Sequence, residues 1–376
     1  MLKHEKLQYK YQTIDNGTIL PHKRVDTEQP RYGIGGITDT NGNFVSISAI
    51  DNGWFTWGGA YHVQQSKTIS ETVVYLGYII DHWGHFLVDG SSRIWYLVSK
   101  YYHGEKIVII TNYKTLNKSI LDFFQLLGIP QNNLILLSDG EMPLECTKII
   151  IPEPAYVPRK YYSDEFKIPF QIASQNISND SFVSSDTQKI YFSRQHLKAA
   201  KKKEYGEERL QSLLVKQNWQ IFYPEELSLR EQINIWKNAQ YIACINGTIP
   251  LNCCFATGRS NIAVINKTKV THLNLYEFAQ IFDCKIDYIN CYDEKRSKDK
   301  VLLGTGPFLM KPTSSFINYF QCSATPSDSL RDIIQFRTTT ITIKTQSACK
   351  KILSMVHLMP LLSQIKHRLI SKSIEK

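Results

Sequence analysis

Residues 241–256 and 261–266 constrain this chain more than any other stretch. Tyr241-Ile-Ala-Cys-Ile245 is short and almost wholly apolar, the pattern of a strand in a parallel sheet covered on both faces. Asn246-Gly247-Thr248 supplies a tight polar turn, and Pro250 suits an early helical position, where its missing N–H costs nothing. Asn261-Ile-Ala-Val-Ile-Asn266 makes a second strand. A strand, turn, helix and strand in that order call for an α/β fold with parallel pairing. Exposed N–H groups at such a helix start form a site for an anion, above all a phosphate. The spacing is neither that of a P-loop nor that of the dinucleotide fingerprint, and an ordinary βαβ crossover with no ligand reads the same way.

At 376 residues the chain is long enough for two domains. Residues 1–70 read as a β-rich segment, with a hairpin expected around Asp39-Thr-Asn-Gly-Asn43. From residue 71 helices and strands alternate. Leu87 to Tyr102 reads as an amphipathic helix; Lys106–Ile110, Asn133–Leu137 and Lys148–Ile151 read as strands. Together they predict a Rossmann-like domain over 71–155. Pro152, Pro154, Pro158 and Pro169, followed by a Ser/Asn-rich run, mark a linker at 156–187. A second α/β series over 188–295 includes Ser228 as a helix N-cap. The expected architecture is two Rossmann-like domains facing a cleft at the carboxyl ends of their strands, where open α/β sheets bind ligands. Residues 296–376 form an extension. Within it Ile352, Met355, Val356, Met359, Leu362, Ile365 and Leu369 fall at helical spacing with lysines and an arginine at the ends. Such a basic amphipathic helix, kinked at Pro360, lies on an anionic membrane surface or packs back on the protein.

A net charge of +10 points to an acidic partner: nucleic acid, anionic lipid or a phosphorylated small molecule. No nucleic-acid module is recognisable, which sets nucleic acid aside. The amino terminus has no apolar core of a secretory signal, and no apolar run is long enough to span a bilayer. Eight cysteines without a Cys-x-x-Cys pair argue against a disulfide framework and a structural zinc, so a cytoplasmic location is expected.

Asp81-His-Trp-Gly-His-Phe-Leu-Val-Asp-Gly-Ser-Ser-Arg93 is dense in functional side chains. His85, Asp89 and Arg93 stand four apart and share one face of a helix. An imidazole beside a carboxylate is suited to take a proton from a sugar hydroxyl, with either His85 or Asp89 as the base. Arg93 is suited to contact the acceptor or a phosphate, the latter bidentately. His82 and His85 lack a third ligand at a familiar metal spacing, and no Asp-x-Asp occurs, so no metal is expected. Arg194 follows the strand Lys189-Ile-Tyr-Phe192, where the cleft begins, and would meet a diphosphate.

In order and spacing these features resemble glycosyltransferase family 61, especially bacterial members of capsule and exopolysaccharide clusters. The similarity rests on His85-Phe86-Leu87, Asp89 and Arg93, on Ser193-Arg194, on Glu207-Glu208 and on Phe222-Tyr-Pro-Glu225. It extends to a helix like Leu229 to Ala239, the turn Asn246-Gly247-Thr248 and the downstream Asn252. Many relatives carry His-Gly-Ala where this chain has Asn246-Gly247-Thr248. The resemblance implies an inverting, metal-independent transferase of the glycosyltransferase B type, without a cofactor. The amino-terminal domain would take the acceptor. The carboxy-terminal domain would hold a nucleotide diphosphate sugar, a uridine diphosphate sugar in the first place, on Arg194, Glu225, Asn246, Gly247, Thr248 and Asn252. The implied acceptor is a glycan, such as a lipid-diphosphate-linked one at the inner face of the plasma membrane. A non-catalytic binding protein for glycans or nucleotide sugars, and a transferase of a non-sugar group, remain open alternatives on the same fold.

Overall fold

A computed structural model describes residues 2–25, 32–177, 189–201, 203–256, 258, 260–296, 303–304 and 306–355. Six strands build a first sheet: β1 (Tyr11–Lys23), β2 (Ile34–Thr38), β3 (Lys67–Tyr78), β4 (Lys106–Ile110), β5 (Leu134–Leu137) and β6 (Leu144–Pro152). They lie in the order β2-β1-β6-β3-β4-β5. β6, β3, β4 and β5 are parallel, while β1 pairs antiparallel with both β6 and β2. The β-rich amino-terminal segment is therefore the edge of this sheet, with Tyr11 opposite Pro152 and Ile19 opposite Leu144. The turn of the expected hairpin forms, Asp39 Oδ1 accepting from the backbone N–H groups of Asn41 and Asn43. Beyond it, Thr38 makes only a bridge to Phe44, and Ser46–Ser48 becomes a 3₁₀ turn. Ser48 Oγ accepts from Ile37 N and donates to Val45 O, which holds that turn.

Five strands build a second sheet: β7 (Lys189–Phe192), β8 (Gln220–Phe222), β9 (Tyr241–Ile245), β10 (Asn261–Asn266) and β11 (Ile286–Asn290). Their order is β8-β7-β9-β10-β11, with β7 parallel to β8 and β9, and β9 parallel to β10. Strand order reverses between β7 and β9. In open α/β sheets the crevice at the carboxyl ends of such a pair is where ligands bind.

Alternation along β3 buries both faces of the first sheet: Val74 and Leu76 point into one core, Val73 and Tyr75 into another. The first of these cores also takes in Ile190 and Phe192 of β7 and Ile242 and Cys244 of β9. Phe123 of α1 (Lys118–Leu126), Phe170 of α2 (Ile168–Gln175) and Phe255 link the layers, with ring centroids 5.5 Å and 5.7 Å apart.

The chain packs as two compact units. The first comprises Met1–Phe192, Trp219–Ile265 and Thr271–Tyr288; the second comprises Ser193–Asn218, Asn266–Val270 and Ile289–Lys376. Apart from Asn266 of β10 and Ile289 and Asn290 of β11, both sheets fall in the first unit, so the division does not come at the proline-rich stretch 156–187. Those prolines punctuate ordered structure instead. Pro152 ends β6, Pro169 sits in the first turn of α2, and Tyr156, Phe166 and Phe170 are buried. Residues 178–188 of that stretch lie outside the described residues, as do 356–376 of the tail, including the expected kink at Pro360. No helix among the described residues is long and apolar enough to cross a membrane.

The second unit contains a buried ion pair. Lys267 Nζ donates to Glu204 Oε1 at 2.6 Å and Arg194 Nε to Glu204 Oε2 at 3.0 Å, with the Lys267 side chain 1% exposed. Burial pushes the Glu204 carboxyl up, but the Lys267 and Arg194 charges outweigh it and leave the group below its ordinary value. Burial pushes the Lys267 ammonium down, and Glu204 only partly restores it. A carboxylate lowered in the folded state contributes stability that is complete above the ordinary glutamate range and is lost as the pH falls below it. Glu204→Gln leaves a buried cation uncompensated. It is expected to lower the unfolding free energy by about 3–5 kcal/mol at neutral pH and to flatten the acid limb of the stability profile. Denaturant titration across pH checks both.

Candidate active site

The segment expected to be one helix from Leu87 to Tyr102 is a series of short helical turns: Trp83–His85, a π-helical turn Phe86–Gly90 and a 3₁₀ turn Ile94–Val98. Single π turns recur at functional sites. Here the wider turn still carries His85 onto Asp89, Nδ1 lying 3.0 Å from Oδ2. The Asp89 side chain is 3% exposed and that of His85 is 41% exposed. Asp89 Oδ1 also accepts from Asn52 Nδ2 at 2.6 Å and Trp54 Nε1 at 3.2 Å. An ionised carboxylate only accepts, so the ring nitrogen facing it carries the proton and Nε2 keeps the lone pair. The indole of Trp54 and the imidazole of His82 pack against the His85 ring at centroid distances of 5.2 Å each. Among the described residues, no three His, Cys, Asp or Glu side chains are grouped to hold a metal ion.

The turn after β9 and the helix that follows it meet the turn that carries this histidine, through Trp83 and Gly84. Trp83 Nε1 donates to Asn252 Oδ1 at 2.8 Å, and a methyl group added at Gly84 would lie 2.9 Å from Thr248 Cγ2. Residues more than 160 positions apart in sequence thus form one site within the first unit. Pro250 opens a helix as expected, but it is a 3₁₀ helix, Ile249–Phe255, and every one of its residues is buried.

The structure uses several expected ligand contacts otherwise. Arg93 is 2% exposed, and its guanidinium donates to the carbonyls of Pro152, Ile47 and Ala49. It ties β6 to the 47–49 turn rather than standing beside His85 as a phosphate contact. The π turn removes the regular four-residue register that put them on one face. Asn246 is wholly buried, and its N–H donates to Ile265 O, so that donor is used within the sheet and not for an anion. Both ends of the Asn252 amide are engaged, by Trp83 and by Ile249 O, which makes it a clip. Glu225 stands exposed on the turn Pro224–Glu226 and takes no part in the hydrogen bonds just described. Arg194 belongs to the second unit. There it pairs with Glu204 and lines a cleft of about 320 Å³ with Gln195, Glu207 and Arg331. Glu207 opens α3 (Glu207–Val215) and accepts from Ser193 Oγ and Arg194 N, so the Ser-Arg and Glu-Glu motifs form one capped loop.

Trp83, Asn52, Trp54 and His272 are residues around the candidate site that sequence reasoning passed over. Asp51-Asn-Gly53 carries only the signal of a turn, and His272 carries none. His272 occupies the N-cap position of α5 (Leu273–Ile281), which packs on the 249–255 helix. Burial holds its imidazole below the ordinary value, His85 pushes it further down, and Asp89 partly opposes them.

A carboxylate-steered histidine set against the end of a parallel sheet suits base-assisted transfer to a hydroxyl. Residues 83–263 match the family model Glycosyltransferase 61, which supports that family for this chain. It is a glycosyltransferase. No curated protein sequence matches the chain.

Gly84→Ala would wedge the histidine turn away from Thr248. Turnover is expected to fall by about 10²-fold, the cost of a misplacement near 1 Å. Thr248→Ala in the same chain should recover part of the lost thermal stability, because the partner of the clash is then gone. Melting curves of the single and double variants check this.

Proposed function

We propose that this glycosyltransferase moves a sugar, with inversion, from a nucleotide diphosphate sugar to a hydroxyl of a glycan acceptor, and that His85 is the base. The observation that carries the reading is the His85–Asp89 pair: a half-exposed imidazole whose Nδ1 is held at 3.0 Å by a buried carboxylate. That contact fixes the tautomer and points the basic Nε2 outward. It also stabilises the imidazolium that forms when the acceptor proton arrives. Asp89, already occupied by three donors, is the positioning residue rather than the base.

In this mechanism the acceptor oxygen attacks the anomeric carbon as its proton passes to His85 Nε2. The bond from that carbon to the diphosphate oxygen breaks on the opposite face, and the electron pair leaves with the phosphate. A single displacement inverts the anomeric centre. The donor diphosphate binds by the turn at Gly247 and Thr248, at the carboxyl edge of β9. The absence of any Asp-x-Asp sequence supports leaving-group stabilisation by N–H donors and basic side chains without a divalent ion. The two sheets support a glycosyltransferase B-type reading, with uridine diphosphate sugars as the first donors to test. The basic composition suits an acceptor carried on a lipid diphosphate during capsule or exopolysaccharide synthesis at the cytoplasmic membrane face.

His85→Ala is expected to cut donor turnover by about 10²–10⁴-fold with little change in donor affinity. Asp89→Asn, which offers the ring an N–H where it needs an acceptor, should move turnover in the same direction. Donor hydrolysis and transfer, followed with a panel of nucleotide sugars, provide the measurement. Near-normal turnover in His85→Ala would sink the assignment.

A further inference from the structure

We propose that His272 is a second working imidazole of this site and contacts the diphosphate leaving group of the donor. The inference rests on the donor reading above and adds a residue that lies outside the matched segment 83–263.

Topology puts His272 at the donor edge. The 246–248 turn leaves the carboxyl end of β9, and the chain reaches His272 after leaving the carboxyl end of the neighbouring parallel strand, β10. Both segments therefore emerge at the edge where such a sheet binds its ligand. α5, which starts directly after His272, packs on the 249–255 helix; Leu275 and Leu251 share one core. Trp83 and Asn252 join that same helix to the His85 turn. His272 is close enough to His85 and Asp89 to respond to the charge of each.

The side chain does no evident structural work. It sits at an N-cap, a position that favours Ser, Thr, Asp or Asn because their oxygens accept from the first helical N–H groups, yet it makes no cap hydrogen bond. Its Nδ1 is buried and has no hydrogen-bond partner among the described residues. Buried polar atoms are nearly always satisfied, and an exception calls for a specific reason. An unpaired acceptor is tolerated better than an unpaired N–H. The neutral ring is therefore expected to carry its proton on Nε2, ready to donate.

The chemistry calls for such a group. In an in-line displacement the acceptor oxygen and the departing phosphate oxygen lie on opposite sides of the anomeric carbon. A base serves the first and a donor serves the second. His85 takes the acceptor proton; His272 donates a hydrogen bond to the phosphate oxygen that receives the electron pair, with no proton changing hands there. Negative charge grows on that oxygen as the bond breaks, so the contact strengthens toward the transition state. The charged groups acting on His272 are His85 and Asp89. Protonation of His85 during the reaction disfavours a second cation and keeps His272 a neutral donor.

The test compares the full-length wild type with His272→Ala, His272→Gln and His272→Asn. Calorimetry is run with uridine diphosphate against uridine, and with the guanosine, cytidine and thymidine pairs. For the nucleotide that the wild type binds, the advantage of diphosphate over nucleoside should shrink about tenfold in His272→Ala, while nucleoside affinity stays unchanged. Turnover of the matching nucleotide sugar should fall by about 10²–10³-fold, the usual effect of removing one such donor. His272→Gln places an amide nitrogen near the Nε2 position and should recover part of both losses; His272→Asn, which mimics Nδ1, should not. If the alanine variant does not fold, the Gln and Asn variants carry the comparison. An unchanged diphosphate advantage with unchanged turnover overturns the inference and leaves the donor reading standing. A wild type that binds none of the diphosphates overturns the donor reading, and this inference with it.

Discussion

A carboxylate withdrawn from water is stable only where other donors replace the water it loses. Asp89 draws its replacements from His85 on its own turn and from Asn52 and Trp54 in the preceding loop. Those contacts set the order of the surrounding structure. The loop near residue 50 must close over the π turn, and Arg93 holds it there by donating to Ile47 and Ala49 while reaching Pro152 at the end of β6. The histidine ring is fixed as a by-product of satisfying the buried charge. Its protonated nitrogen is chosen by the carboxylate, and its basic nitrogen is whichever one remains.

The two sheets contribute different things to this arrangement. The first is buried on both faces and fixes where β3 ends, a few residues before His82. The second presents the carboxyl ends of parallel strands, where loops are free to vary while the scaffold stays rigid. A tryptophan–asparagine hydrogen bond fastens the outputs of the two together, and Gly84 lets the backbones approach that closely. The geometry of the candidate site is thus a matter of how two loops are clipped, with little tolerance for added bulk.

Apolar runs bounded by turn residues made most of the strands legible. Lys106–Ile110, Lys189–Phe192 and Asn261–Asn266 lie where hydrophobicity placed them, and Ser228 caps its helix, α4 (Leu229–Asn238), with a reciprocal bond to Glu231. The spacing of His85 and Asp89 also announced their meeting. Arg93 was misread because a regular helix was assumed, and a π turn shifts the face that each following residue presents. Asn52, Trp54 and His272 were invisible for a different reason: each reaches the site through tertiary packing, and nothing in its local sequence sets it apart from an ordinary loop residue. The proline-rich stretch misled in the opposite direction. Proline marks the ends of elements, and a dense run of short buried elements carries as many prolines as a linker does.

The second unit is assembled from three separated pieces of chain. Glu204 lies in the first piece and Lys267 in the second, and residues 219–265 between them belong to the other unit. A nascent chain emerging from the ribosome therefore presents Glu204 well before its buried partner exists, and the last piece begins only at Ile289. Long-range closure of this kind is slow and leaves partly built surfaces exposed to aggregation. The same threading means that no single cut releases either unit as a continuous fragment, so the two must be inherited, exchanged and synthesised together.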